Sequence, residues 1–224
     1  MSSDSSLHEL SPAIARSRIF VHGGFLLLPS LLPADDLNQL EGEANYARPA
    51  GRRNVLPVAS GKEERGGNPD RAFTTAAGGP VQWGIFASPA MLARLAQVCG
   101  LELSPLGGGS YSFYEQSGDF LGLHRDIVDC DLAVITCVRA RGEEAAAGRL
   151  LVYSNYMNAP LTSARSAGKA GATPVPMGRG ESVALLGGFV PHEVTPMLPG
   201  QERIVSVMCY RVGGDQAYRV ELNT

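Results

Sequence analysis

Long apolar runs are missing from this chain of 224 residues. None approaches the roughly 20 residues that a bilayer-spanning helix requires, so a membrane span is not expected. Blocks of lysine or arginine are missing too, and the formal charge is −3, from 19 basic and 22 acidic residues. A nucleic-acid partner is therefore not expected, because such binders concentrate positive charge against phosphates. The opening, Met1-Ser-Ser-Asp-Ser-Ser, has neither the basic flank nor the apolar stretch of a secretory signal, and neither end carries a lipidation motif. Those features point to a cytoplasmic address. The four cysteines, Cys99, Cys130, Cys137 and Cys209, show no C-x-x-C spacing, and three lie in apolar runs, so they read as buried, reduced thiols. Charged residues make up only 18% of the chain, yet 44% is apolar, enough for a single domain to bury a full core without staples.

Residues 1–17 are serine-rich and aperiodic and are expected to form a flexible segment ahead of one domain over 18–224. Arg18 to Leu28 has the β-branched and aromatic content of a strand. Pro33, Asp35 and Asp36 suit a first helical turn, and Leu37, Leu40 and Ala44 share a face, which predicts a helix over 33–46. A second helix is marked by Ser88 as N-cap, Pro89 in the first turn, a stripe of Leu92, Leu95, Ala96 and Cys99, and Gly100 past the end. From Gly108 onward, the runs 109–116, 132–139, 149–154, 182–186, 190–195, 203–211 and 218–222 read as short strands broken by Gly and Pro. Helices followed by many short strands make an α+β domain built on a sandwich or jelly roll, whose open end would hold any site. Arg48 to Thr75 and Asn155 to Thr173 show no regular period and read as long loops, which commonly act as lids.

Histidine is scarce, with four in the chain, and two of them stand where a metal site would need them. The segment from Tyr114 to Asp126 ends His124-Arg-Asp126, and alternate residues of extended chain share a side, so imidazole and carboxylate can reach one ion. A local hydrogen-bonded pair would look the same. His192 lies in Gly187-Gly-Phe-Val-Pro-His192-Glu-Val-Thr-Pro, a turn-rich approach to a strand, where it also fits a surface-turn histidine. Two histidines and one aspartate together make the set that covers one face of octahedral iron(II) and leaves three adjacent positions open. Structural zinc would want a fourth ligand. Arg203 follows eleven residues after His192 and opens the apolar strand Arg203-Ile-Val-Ser-Val-Met-Cys-Tyr-Arg211. A guanidinium there is costly unless paired, and its planar fork suits a carboxylate deep in a cavity. A snorkelling strand-end arginine is the other reading.

In this order and spacing, these elements resemble the iron(II)/2-oxoglutarate-dependent dioxygenases, nearest the prolyl-4-hydroxylase-like branch, over about residues 84–211. The likeness extends to Gly118-Asp-Phe before the first ligand, to Ala147-Gly-Arg-Leu-Leu-Val-Tyr153, which is similar to the family's Gly-Gly-Glu-Leu strand, and to Pro176-Met-Gly178-Arg-Gly-Glu-Ser-Val-Ala-Leu before the distal histidine. Gly24-Phe-Leu-Leu-Leu-Pro-Ser-Leu-Leu resembles the family's opening strand. The resemblance implies a double-stranded β-helix, the jelly-roll core, with supporting N-terminal helices. It implies His124, Asp126 and His192 as ligands of Fe(II), 2-oxoglutarate chelating that iron and reaching Arg203, and O2 in the last site. It further implies release of succinate and CO2 with oxidation, by default hydroxylation, of an unactivated C–H bond in a small molecule such as an amino acid or natural-product intermediate. Asp126 fills the position that related halogenases leave to chloride, which implies a hydroxylase rather than a halogenase. The chain departs from many relatives at Val205, where a serine or threonine would share the arginine's strand face, and Ser206 should point away. Tyr114 is the expected second contact to the co-substrate, with Tyr111 and Thr136 in reserve. No substrate anchor stands out among Arg52, Arg53, Arg65, Arg71, Arg125, Arg139 and Asn155, and Trp83 and Phe86 suit a pocket wall or the core. Two other classes share the architecture: a cupin-like metal enzyme, which would not need Arg203, and a non-catalytic binding module, which would need neither metal nor arginine.

Overall fold

A computed structural model describes residues 10–57, 68–142 and 148–213. It opens with two helical turns, α1 (Pro12–Ala15) and α2 (Arg18–Val21), each capped by a serine hydroxyl that accepts a backbone N–H: Ser11 from Ile14 and Ser17 from Phe20. The strand expected from Arg18 to Leu28 is therefore split. The Ser17 cap favours a helical turn, Gly23 and Gly24 reverse the chain with φ of 84° each, and only β1 (Phe25–Leu28) is extended. Ile14 is buried, so residues 10–17 dock on the core rather than fray, while 1–9 lie outside the described residues.

The next helix, α3 (Ala34–Ala47), follows Pro33 and buries Leu37, Leu40 and Ala44, the face its sequence period marks. The stretch read as a first long loop instead contains a hairpin, β2 (Arg52–Leu56) and β3 (Arg71–Ala77), paired from Arg52↔Thr75 to Leu56↔Arg71. Its first strand is polar and mostly exposed, so no alternation of apolar residues marks it; main-chain pairing holds it instead. Then come α4 (Pro80–Phe86) and α5 (Pro89–Cys99), the latter capped by Ser88 and burying Met91, Leu95 and Cys99. Short β4 (Leu103–Pro105) leads into β5 (Ser110–Tyr114), β6 (Phe120–His124), β7 (Leu132–Arg141) and β8 (Leu150–Val152). The second expected loop carries α6 (Leu161–Ala167) and ends in β9 (Thr173–Val175), and the described chain closes with β10 (Ser182–Leu185), β11 (His192–Val194) and β12 (Glu202–Val212). The strand expected over 218–222 lies outside the described residues.

The strands form one curled antiparallel sheet in the order β1-β10-β7-β12-β5-β3-β6-β11-β8-β9, with β2 on β3 and β4 on β12. This is the expected jelly-roll core with helices. Its closure depends on β3, whose last residues pair with β5 and whose first residues pair with β6. The chain thereby turns at 115–119 from one wall, β7-β12-β5, to the facing wall, β6-β11-β8.

The helical layer packs outside the first wall, where Leu40, Phe86, Leu95, Tyr111, Met208 and Tyr210 are all fully buried in one cluster. Burial of each such side chain contributes about 1.5–3 kcal/mol. Two polar residues fix α4 in place. The Glu43 carboxylate accepts the N–H groups of Gly79, Val81 and Gln82 and the Tyr111 hydroxyl. Fully buried Gln82 donates to the Ser110 and Val207 carbonyls and to Ser206 Oγ. One cysteine expectation is overturned: Cys130 and Cys209 form a disulfide, Cα atoms 5.2 Å apart, while Cys99 and Cys137 are buried thiols outside any disulfide, as expected. The two partners are 79 residues apart, and only the fold brings the start of β7 against the end of β12. No helix among the described residues is long and apolar enough to cross a membrane.

Candidate functional site

Between the two walls lies a cavity of about 220 Å³. His124 ends β6 and His192 begins β11, and the two are direct cross-strand partners, which sets their rings 4.2 Å apart centroid to centroid. Asp126 follows His124 by two residues, and its Oδ1 lies 3.7 Å from His124 Nε2 and 3.6 Å from His192 Nε2. Ligand atoms of the three residues all fall within 4.8 Å of one another, the spacing of donors around a single ion.

The backbone also sets which nitrogen each ring offers. His124 Nδ1 meets the Gly122 carbonyl at 2.9 Å, and His192 Nδ1 meets the Val190 carbonyl at 3.0 Å. Carbonyls only accept, so both Nδ1 atoms carry the proton and both Nε2 lone pairs face Asp126 and the cavity, the tautomer a metal needs. Asp126 is seated by its own N–H, which donates to the Gly187 carbonyl at 2.8 Å. A Cβ on Gly187 would collide with Asp126 Oδ2, so this turn needs glycine for close approach.

At Asp126 and His124 the charges agree with that geometry. Burial works against ionisation of Asp126, but His192 and His124 outweigh it and hold the carboxyl well below its usual range. Burial and the neighbouring His192 push the His124 imidazole down, towards the neutral ligand form. For His192, burial also favours the neutral ring, and the Asp126 carboxylate outweighs it and raises the pKa. Two imidazoles and a carboxylate, with further positions open to the cavity, suit a divalent transition metal.

Arg203 lies in the same cavity, paired across strands with Tyr114, and is 8% exposed. Its Nη1 donates to the Gly148 carbonyl, yet its Nε is buried with no hydrogen-bond partner among the described residues. A buried charge left partly unsatisfied is unusual, and the residue that carries it lines the cavity. Tyr114 lines the cavity beside it, stacked on Phe73 at 5.1 Å. Val205 lines the cavity, whereas Ser206 turns away to Gln82, as strand alternation requires.

Both reserve hydroxyls are committed elsewhere. Tyr111 reaches Glu43 in the helical layer, and Thr136 bonds Ser182 Oγ at 2.7 Å on the outer face of β7, so neither joins Arg203. Among the arginines considered as anchors, Arg53 pairs with Asp119 at 2.6 Å and Arg139 with Glu41 and Glu202 at 2.8 and 3.0 Å. Arg125, between the two β6-side ligands, donates to the carbonyls of Phe189, Tyr156 and Ala159 and clamps the turn that carries His192. Arg65 lies outside the described residues. Phe86 is core, and Trp83 is 41% exposed; neither lines the cavity. Sequence reasoning missed Ser110, Ser112 and Thr75 on the cavity wall, although the alternation of β5 around Tyr114 carries the signal for both serines.

No protein-family model matches the chain, and no curated protein matches it. Solved structures do. The chain is similar to a prolyl-4-hydroxylase from Pseudomonas putida at 18% identity, covering 90% of this chain and 98% of that one with a TM-score of 0.59. It is similar to the non-heme alpha-ketoglutarate-dependent epimerase SnoN from nogalamycin biosynthesis at 14% identity, with 89% and 81% covered and a TM-score of 0.61. It is also similar to HygX from Streptomyces hygroscopicus, solved with nickel and 2-oxoglutarate, at 16% identity, with 86% and 84% covered and a TM-score of 0.58. The chain shares its fold with these three structures.

Proposed function

We propose that this chain is an iron(II)- and 2-oxoglutarate-dependent oxygenase that hydroxylates an unactivated C–H bond of a small molecule. The observation that carries this reading is the joint placement, in one cavity, of the His124, Asp126 and His192 donors and of an arginine with an unsatisfied buried Nε. His124 Nε2, the Asp126 carboxylate and His192 Nε2 would hold the metal, and Arg203 would take the distal carboxylate of 2-oxoglutarate, with the Tyr114 hydroxyl as second donor. When bound, iron with 2-oxoglutarate and O2 supplies the oxidant for the C–H bond, yielding succinate and CO2. The chain's own contribution is positioning: the Nδ1–carbonyl contacts lock both imidazoles, and the Gly187 turn seats the carboxylate. Val205, Val194, Ile135 and Leu121 line the cavity and keep water from the reacting centre. Asp126 as a ligand favours oxygenation over halogenation.

The proposal includes cytoplasmic residence, where a disulfide such as Cys130–Cys209 is uncommon. Thiol counting on protein isolated under a blocking agent tests that part. The chemistry is tested by anaerobic addition of iron(II) and 2-oxoglutarate, expected to give the weak visible charge-transfer band of the chelate, and then by succinate formation in air. Arg203→Ala is expected to raise the 2-oxoglutarate requirement at least tenfold, since a charge-assisted contact is worth about 1.5–3 kcal/mol. Failure to form the band overturns the reading and returns the chain to the cupin-like or the non-catalytic class.

A further inference from the structure

The wall of the cavity facing the candidate metal ligands carries a row of polar groups, some of them without a partner among the described residues. Strand register aligns Arg52 of β2, Thr75 of β3, Ser112 of β5 and Val205 of β12 side by side. Direct partners in antiparallel strands project to the same face. Thr75, Ser112 and Val205 line the cavity; Arg52 is exposed and not itself among the lining residues, and its pairing with Thr75 sets it on the same face, at the rim. Asn54 confirms the orientation, because its Nδ2 donates to Thr75 Oγ1 at 2.9 Å. Arg53, one residue away, turns to the opposite face and binds Asp119.

The rim arginine is also unspent. Arg48, Arg53, Arg139, Arg141, Arg179 and Arg211 all meet carboxylates, whereas Arg52 meets none among the described residues. The Ser110 and Ser112 hydroxyls on the same wall likewise have no partner among the described residues. Beside them, Val205, Val207, Ile135 and Ala133 form an apolar surface. Asp126, a candidate metal ligand, is the one carboxylate lining the cavity among the described residues, so an entering anion meets no further repulsion.

Resting on the oxygenase reading above, we propose that the primary substrate is a small amphiphilic carboxylic acid. Its carboxylate pairs with Arg52, a neighbouring polar group binds Ser112 and Ser110, and its apolar body lies along Val207 and Ile135 towards the metal. Arg203, deeper in the cavity, is left to the co-substrate, so the two acids are sorted by depth. This makes Arg52 a specificity-determining residue on a strand that shows no apolar pattern.

The test uses the full chain with iron(II) and 2-oxoglutarate and a panel of L-amino acids and 2-hydroxy acids, each beside its primary amide. Binding is read from perturbation of the charge-transfer band under anaerobic conditions, and turnover from succinate in air. At least one acid is expected to perturb the band and stimulate succinate release, with its amide tenfold or more weaker. In Arg52→Gln the half-saturating concentration of that acid is expected to rise at least tenfold, while the band forms at the same 2-oxoglutarate concentration; Arg52→Lys recovers part of the loss. Ser112→Ala is expected to weaken the same acid several-fold. Equal response to acid and amide, an unchanged requirement in Arg52→Gln, or no response to any panel member overturns the proposal. Absence of the band in the unsubstituted protein instead overturns the oxygenase reading and takes this one with it.

Discussion

At the scale of single residues, one atom decides whether the three donors can converge. Asp126 packs against the bare Cα of Gly187 and bonds its carbonyl, so the turn before His192 positions a carboxylate 61 residues earlier in the chain. Gly187→Ala is expected to push the Asp126 carboxylate off its site and weaken iron(II) binding by about 10–100-fold, the range seen when residues that orient ligands are disturbed. The domain should remain folded, since neither side chain belongs to the apolar core. Iron(II) titration with circular dichroism checks both points, and an unchanged affinity would show that Asp126 does not bind the metal from this position.

At the scale of elements, α4 depends on Glu43 from α3 more than on its own residues, because it lacks a side-chain cap of its own. Burial raises the Glu43 pKa, but the Tyr111 hydroxyl and the three backbone N–H groups outweigh it and hold the carboxyl below its ordinary value. A folded pKa below the unfolded one means the stabilisation is complete above the usual glutamate range, near about pH 4, and drains away as pH falls through the lower folded value. Glu43→Gln is expected to cost about 2 kcal/mol at neutral pH, the scale of charge-assisted bonds exchanged for neutral ones. The same variant should flatten the loss of stability between about pH 5 and pH 3. Urea unfolding at several pH values reads both effects, and a pH slope equal to that of the unsubstituted protein would remove Glu43 from the account.

At the scale of the whole molecule, the Cys130–Cys209 disulfide ties the loop after Asp126 to the end of β12, and Cys130 Sγ lies 3.8 Å from Asp126 Oδ2. A closed loop of this length restricts the unfolded chain by about 4 kcal/mol in the chain-entropy estimate. Replacing both cysteines by serine is expected to lower the unfolding free energy by about 2–4 kcal/mol, with the same loss in the unsubstituted protein under strong reductant. Denaturant melts with and without reductant measure it; no difference between the two would mean the thiols are unpaired in solution.

The sequence by itself determined the helices whose caps and apolar stripes are local, Ala34–Ala47 and Pro89–Cys99, and the strands whose apolar runs are bounded by Gly or Pro. It also singled out the candidate donors, not from any one feature but from the joint order of a His-x-Asp, a turn histidine and a strand-opening arginine, an order that resembles one family. It did not determine β2, whose exposed side chains leave no period to read and whose existence depends on pairing with β3. Nor could it separate Tyr114 from Tyr111 and Thr136, since which face of a strand meets the cavity is set only when the sheet curls and helices cover its other side. The disulfide belongs to the same class: two cysteines 79 residues apart become neighbours through strand order, a long-range property that composition and spacing do not contain. The row from Arg52 to Val205 spans four strands drawn from three separate parts of the chain, so tertiary structure alone decided that these side chains share one wall.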